Sequence, residues 1–149
     1  MDDQRFLEIA IEQAKIGRGE GGVPIGGALV ADGRVLGAGR NRRVQEGSAI
    51  KHGETDALEN AGRLPASVYA RATMYTTLSP CYMCTGAILL YGIPRVVLGE
   101  NRTFVGAEDL LRASGVDVVN LDSEECRRLM QEFIAQHPEI WYEDIGEEG

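Results

Sequence analysis

The chain has 149 residues with a formal net charge of −8, from 15 basic and 23 acidic side chains, and is 44% hydrophobic and 26% charged. These proportions suit one globular domain over residues 1–149, large enough to bury roughly two-thirds of its unfolded surface without disulfide staples. The acidic balance speaks against a nucleic-acid partner, whose phosphates supply most of the binding affinity and call for a basic face, and Arg40, Arg42 and Arg43, the one basic cluster, read as a solvated loop.

In chain order, Phe6, Leu7, Ile9, Ala10, Ile11 and Ala14 carry helical spacing over residues 3–17, ended by Gly17 and Gly19. Pro24 to Val30 is a short apolar run, Asp32-Gly33 a turn, and Val35 to Gly39 the return strand of a hairpin. Asn41 to Ser48 is polar and reads as a loop, and His52 to Ala61 as a helix closed by Gly62. Ala72 to Leu78 reads as a buried strand. Ser79-Pro80 then starts a helix, with Ser79 as its cap, that runs to about Tyr91 and stops at Gly92. Arg95 to Gly99 and Val116 to Leu121 are strands separated by a short helix, Glu108 to Ala113. Asp122 caps a helix to about Gln136, and a last turn or helix holds Ile140 to Ile145. Strands alternating with helices predict an α/β fold, a mixed sheet with helices on both faces and its later strands parallel.

Three cysteines, an odd and low number, do not make a secreted disulfide framework. No apolar run reaches the roughly 18 residues of a membrane span, and the start MDDQRF has no signal-peptide character. The expected setting is reducing and cytoplasmic, where paired cysteines bind metal or do redox chemistry.

The chemistry lies in His52-Gly53-Glu54 and in Pro80-Cys81-Tyr82-Met83-Cys84, across one strand. Cysteines at i and i+3 at a helix start point to one side, and the partial positive charge there favours the thiolates a metal needs. Two cysteines and one imidazole leave the fourth position of a zinc open, which separates a catalytic site from a structural one. Residues i and i+2 of a regular helix point about 200° apart, so His52 and Glu54 serve one site only if both lean over the helix end. Gly53 keeps that end open. A structural zinc site would need a fourth ligand. Cys126 reads instead as a small buried hydrophobe and His137 as a solvated or carbonyl-capping side chain. A redox pair would leave His52 and Glu54 without a use. The combined pattern is that of zinc deaminases of nucleobases, with the glutamate moving protons.

Over nearly the whole chain, the stretches GGVPIGGALV, GSAIKHGETDALENAGRL, MYTTLSPCYMCTGAILLYGIPRVVLGEN and WYEDIG resemble the fungal cytosine deaminases that act on the free base. The resemblance implies a three-layer α-β-α sandwich around a five-stranded mixed sheet. It also implies a homodimer with one zinc per subunit, and hydrolysis of cytosine to uracil and ammonia in pyrimidine salvage, extending to 5-substituted cytosines. It makes His52, Cys81 and Cys84 the zinc ligands and Glu54 the proton shuttle. It sets the amide of Asn41 and the backbone of Gly53 on the ring, Asp144 near the exocyclic amine, and Phe104 and Trp141 as aromatic lid walls. Ser79 and Ile25 complete the substrate contacts. Without it, Asn41 reads as a turn residue and Trp141 as core. The loop from Arg102 to Gly106 is shorter than in that family. Three alternatives stand beside this reading. A deaminase of guanine, isocytosine, creatinine or a pterin would carry the same motif. A tRNA adenosine deaminase would need a basic face. A zinc-binding interaction module would need a fourth protein ligand.

Overall fold

Successive side chains of a strand point to opposite faces, which sorts its apolar runs onto the two faces of one sheet. A computed structural model describes residues 2–148. Its elements in chain order are α1 (Asp3–Gly19), β1 (Gly26–Ala31), β2 (Arg34–Arg40), α2 (Arg43–Glu46), α3 (Gly53–Ala61), α4 (Ala66–Tyr69), β3 (Ala72–Thr76), α5 (Tyr82–Leu90), β4 (Arg95–Leu98), α6 (Glu108–Ala113), β5 (Asp117–Asn120), α7 (Glu124–Gln136) and α8 (Pro138–Asp144). The five strands form one sheet in the order β2-β1-β3-β4-β5. β1 runs antiparallel to both β2 and β3, whereas β3, β4 and β5 are parallel.

Leu29, Met74 and Val96 face one way and pack with Leu58 and Ala61 of α3, Ile88 of α5 and Leu111 of α6. Ala28, Val30, Tyr75 and Val97 face the other way, against Phe6, Leu7, Ala10 and Ile11 of α1 and Cys126 of α7. The result is the expected helix–sheet–helix sandwich. Asp32 and Gly33 both take positive φ, 53° and 73°, as a two-residue hairpin turn requires.

Four local expectations need correction. Two short helices, α2 and α4, lie in stretches without helical periodicity. The first forms where the Asn41 side-chain oxygen accepts the Arg43 N–H at 3.1 Å, starting a turn inside the supposed loop. Ser79 does not cap α5. Cys81 does, its sulfur accepting from the Cys84 N–H at 3.5 Å. Asp122 sits at φ 51° and leaves the capping of α7 to Ser123, whose hydroxyl accepts from the Cys126 N–H at 3.2 Å. Among the described residues no helix is long and apolar enough to cross a membrane.

The chain leaves β2 and β3 at the same end of the sheet where β1 begins, because β1 is antiparallel to both. α3 and α5 therefore both start at that end. What lets α3 settle there is backbone contact. A Cβ on Gly27 would stand 2.8 Å from the Gly53 carbonyl oxygen, and one on Gly53 would stand 2.9 Å from the Gly26 carbonyl carbon. Neither neighbour is a side chain that can move aside, so this crossing requires glycine on both sides. Gly27→Ala should cost about 3 kcal/mol, in the range of overpacked interiors. Urea unfolding measures it, and wild-type stability in that variant would remove the crossing as a constraint.

Candidate active site

His52 is the N-cap of α3 rather than a residue within it, with φ −82° and ψ 171°. That resolves the spacing problem of His-x-Glu: the imidazole lies outside the helix while Glu54 stands in its first turn. The His52 N–H donates to Thr55 Oγ1 at 2.9 Å, which fixes this corner. The missing side chain of Gly53 makes room for β1.

The second helix start brings the sulfurs. His52 Nδ1 lies 3.4 Å from Cys81 Sγ and 3.7 Å from Cys84 Sγ. Tetrahedral zinc with Zn–N of about 2.05 Å and Zn–S of about 2.3 Å would set nitrogen and sulfur about 3.6 Å apart. The three donor atoms lie within 4.8 Å of one another, and among the described residues no other cluster of His, Cys, Asp and Glu side chains is placed to hold a metal. The donor set and its spacing fit zinc. Neither spare residue joins it. Cys126 is buried in the α1 face of the core, where burial pushes its thiol up to about 12, and His137 lies against the Phe133 ring at 5.3 Å.

Charge is unevenly spread over this cluster. Hydrogen bonding from Cys84, and then from His52, holds the Cys81 thiol down to about 4 despite its burial. The bond to Cys81 and burial push the Cys84 thiol well up. Burial resists a charged His52, but the Cys81 thiolate and Asp144 prevail and raise the ring to about 9. Glu54 is 3% exposed. Its burial, followed by the nearby Cys81 charge, pushes its carboxyl up to about 7.

The C-terminal helix closes this end. Asp144 Oδ1 is 3.3 Å from His52 Nε2, so the ring turns Nδ1 to the sulfurs and Nε2 to a carboxylate. Asp144 Oδ2 accepts from Asn41 Nδ2 at 2.7 Å. Arg43 ties the same helix down: its Nη2 meets Glu143 Oε2 at 2.6 Å, and its Nη1 lies 3.9 Å from Asp144 Oδ2.

A small inner cavity of about 20 Å³ is lined by Ile25, His52, Glu54, Leu78, Ser79, Cys81, Trp141, Asp144 and Ile145. Of the substrate contacts expected from sequence, Ile25, Ser79, Trp141 and Asp144 meet here. Phe104 stands outside them, in an outer vestibule of about 580 Å³ that also holds Arg43, Tyr82 and Met83. It meets Trp141 edge to face at 6.0 Å between centroids. Asn41 reaches the site through Asp144, and Gly53 packs on β1. The Ser79 hydroxyl is engaged within the protein, donating to Glu108 Oε2 and accepting from the Gly106 N–H.

The sequence reading missed Arg43, Glu100 and Glu108. Arg40, Arg42 and Arg43 are not a solvated cluster: they pair with Glu20, Asp56 and Glu143 respectively. No spacing rule flags such partners, which lie 14 to 100 residues away in sequence.

Comparison with known proteins agrees with this geometry. The family described as the cytidine and deoxycytidylate deaminase zinc-binding region matches residues 1–100. A cytosine deaminase of Candida albicans is 58% identical over 98% of this chain and 98% of its own. A tRNA-specific adenosine deaminase of Streptococcus pyogenes is 32% identical over 88% of this chain and 89% of its own. Among solved structures, one from work on A-to-I editing by tRNA:A34 deaminases superposes with a TM-score of 0.71 at 29% identity, covering 85% of this chain and 99% of that one. A guanine deaminase of Nitrosomonas europaea shares the fold, with a TM-score of 0.73 at 22% identity over 87% of this chain and 83% of its own. With one imidazole and two thiols at zinc spacing beside a buried glutamate, and with the family match spanning both motifs, this chain belongs to the cytidine and deoxycytidylate deaminase family of zinc-binding proteins.

Proposed function

We propose that the protein hydrolyses free cytosine to uracil and ammonia, with Glu54 as the group that moves protons. The observation that carries this reading is the three-ligand cluster with a buried carboxyl beside it, in a chain 58% identical to a cytosine deaminase over nearly its full length. A zinc held by His52, Cys81 and Cys84 would supply a water made acidic at neutral pH, its pKa lowered from about 15.7 towards about 7.

Glu54 takes a proton from that water as its oxygen bonds to C4 of the ring, and delivers it to ring N3. It then moves the second proton to the amine as the C4–N bond breaks. One water is consumed, one ammonia leaves, and Glu54 ends as it began. A carboxyl lifted towards neutrality by burial is matched to both halves of that transfer. Asp144 steadies His52 and stands where the exocyclic amine would lie, while Asn41 and the Gly53 backbone hold the ring in register. Ile25, Ser79 and Trp141 wall the ring, with Phe104 behind Trp141. The inner cavity has room for about one water, and the outer vestibule reaches it at His52, Cys81 and Asp144; a ring passes from the vestibule to the floor as α8 and Trp141 give way, and their return excludes water.

The reading extends to pyrimidine salvage in the cytoplasm and to a homodimer. Support for the dimer comes from α5 and its end, where Tyr82 and Leu90 are 78% and 75% exposed and Tyr91 is 43% exposed. Such an apolar face is of the kind that marks association. A tRNA substrate is disfavoured by the −8 charge and by the paired state of the Arg40, Arg42 and Arg43 side chains.

The direct test is ammonia release from the zinc-loaded protein across cytosine, isocytosine, guanine, adenine, creatinine and pterins, with a tRNA filter-binding arm. Cytosine should dominate; a different preferred ring, or tight tRNA binding, would overturn the substrate. Glu54→Gln should retain one zinc per chain and lose at least about 10³-fold in kcat, so ordinary turnover in that variant excludes the shuttle role. Cys84→Ala should lose zinc by metal analysis, and full occupancy would remove Cys84 from the ligand set. Sedimentation should give about twice the 16.2 kDa chain mass, shifting to monomer in Leu90→Glu; a wild-type monomer would end the dimer proposal.

A further inference from the structure

Glu108 opens α6 with its side chain turned inward and only 4% exposed. Its two oxygens serve different partners. Oε2 accepts from the Ser79 hydroxyl at 2.5 Å, and Oε1 accepts from Asn101 Nδ2 at 3.2 Å. Ser79 Oγ in turn accepts from the Gly106 N–H at 2.9 Å. Two backbone bonds complete the seam, Ser79 N to Glu100 O at 3.1 Å and Ala107 N to Pro80 O at 3.0 Å. The loop from Glu100 to Ala107 is thus stitched at both ends to the segment just before the first cysteine. The approach is so close that a Cβ on Gly106 would stand 1.8 Å from the Pro80 carbonyl oxygen. Within the loop, Glu100 Oε2 accepts from the Arg102 and Thr103 N–H groups at 2.8 and 3.0 Å. The next residue is Phe104, set against Trp141.

We infer that Glu108 is a positioning residue: acting through Ser79 and Asn101, it fixes the loop that holds Phe104 against Trp141, and so sets how tightly the pocket closes on a small ring. A carboxylate suits this place because both of its partners donate to it. Asn101 cannot turn its amide round, since its Oδ1 already accepts from Asn120 Nδ2 at 3.1 Å. Ser79 gives its proton to Glu108 and accepts one from Gly106. Glutamine at 108 would keep its oxygen on Asn101 only by turning its NH2 to Ser79, whose hydroxyl would then lose its acceptor. Arg112 Nη1 stands 3.6 Å from Oε1 on a half-exposed side chain.

The inference rests on the cytosine reading for its substrate but not for its structural readout. Trp141 is the sole tryptophan, so its fluorescence reports the contact directly. In zinc-loaded Glu108→Gln, acrylamide quenching of Trp141 should rise. KM for cytosine should rise on the order of tenfold with kcat within about twofold. Selectivity for cytosine over 5-methylcytosine should fall, with zinc content unchanged. Asp3→Asn, which removes a carboxylate from Arg95 and Tyr75 on the far face, should lower stability and leave quenching and KM alone. Folded Glu108→Gln with wild-type quenching and KM would overturn the inference, as would equal changes in Asp3→Asn. If Glu108→Gln does not fold, Asn101→Ala removes one donor and is read by the same two outcomes. If the wild type fails on cytosine, the substrate reading falls and quenching alone decides the positioning role.

Discussion

Glu54, Asp144 and Cys84 are buried beside the half-buried Cys81, and the cost of desolvating that much potential negative charge is what the rest of the molecule answers to. In the protein alone the answer is partial. One thiol is held as thiolate, its neighbour keeps its proton, the imidazole takes one up, and Glu54 is pushed towards neutrality. A divalent cation would reverse several of these settlements together, releasing the protons that now mask the charge. The fold adds fixed positive ends: α3 and α5 both start at this edge of the sheet, next to the cluster. That arrangement follows from topology. Parallel strands send their crossovers off one end, and β1, running the other way, begins there.

The C-terminal helix is part of this electrostatic arrangement as well as a cover. Asp144 contacts His52, Asn41 and, more distantly, Arg43. A displacement of α8 that carried Trp141 off the pocket would also disturb the carboxylate set against the imidazole. Arg43 opposes that opening from the side, spanning from α2 to Glu143.

What the sequence disclosed was local chemistry with a fixed spacing. His-x-Glu and Cys-x-x-Cys carry their geometry in a few residues at helix starts, and the succession of apolar strand runs and helical segments along the chain pointed to a sheet with helices on both faces. The poor fit of Cys126 and His137 as a fourth ligand was likewise legible from their helical contexts. What was hidden depends on pairing across the chain. Arg42 with Asp56, Arg43 with Glu143 and Glu108 with Ser79 are contacts that no window of local sequence contains. The caps were misassigned for a related reason. Asp122 and Ser79 are good capping residues by type, but each was needed for another bond. The Asp122 carboxylate accepts from Arg102 Nη2 at 3.3 Å, and Ser79 holds the loop bearing Phe104. Gly53 was seen as special, yet the reason lay on another strand, in the backbone of Gly26 and Gly27.

The same pairing logic bears on what this site can accept. A surface that binds a nucleic-acid backbone needs cations whose charge is available to phosphates, since released counterions supply the affinity. Around this site the cations face inward: Arg40 spans Glu20 and Gln13, Arg42 holds Asp56, and Arg43 holds Glu143. To free any of them would expose a carboxylate that now has a partner, so a polyanion would have to compete with an intramolecular pair at each position. A neutral ring meets no such competition. It need only displace Trp141 and recover the apolar contact of Ile25, Leu78 and Ile145 on closing. The arrangement thus discriminates by charge at its rim and by size at its floor, and both criteria favour a small uncharged heterocycle over an anionic polymer.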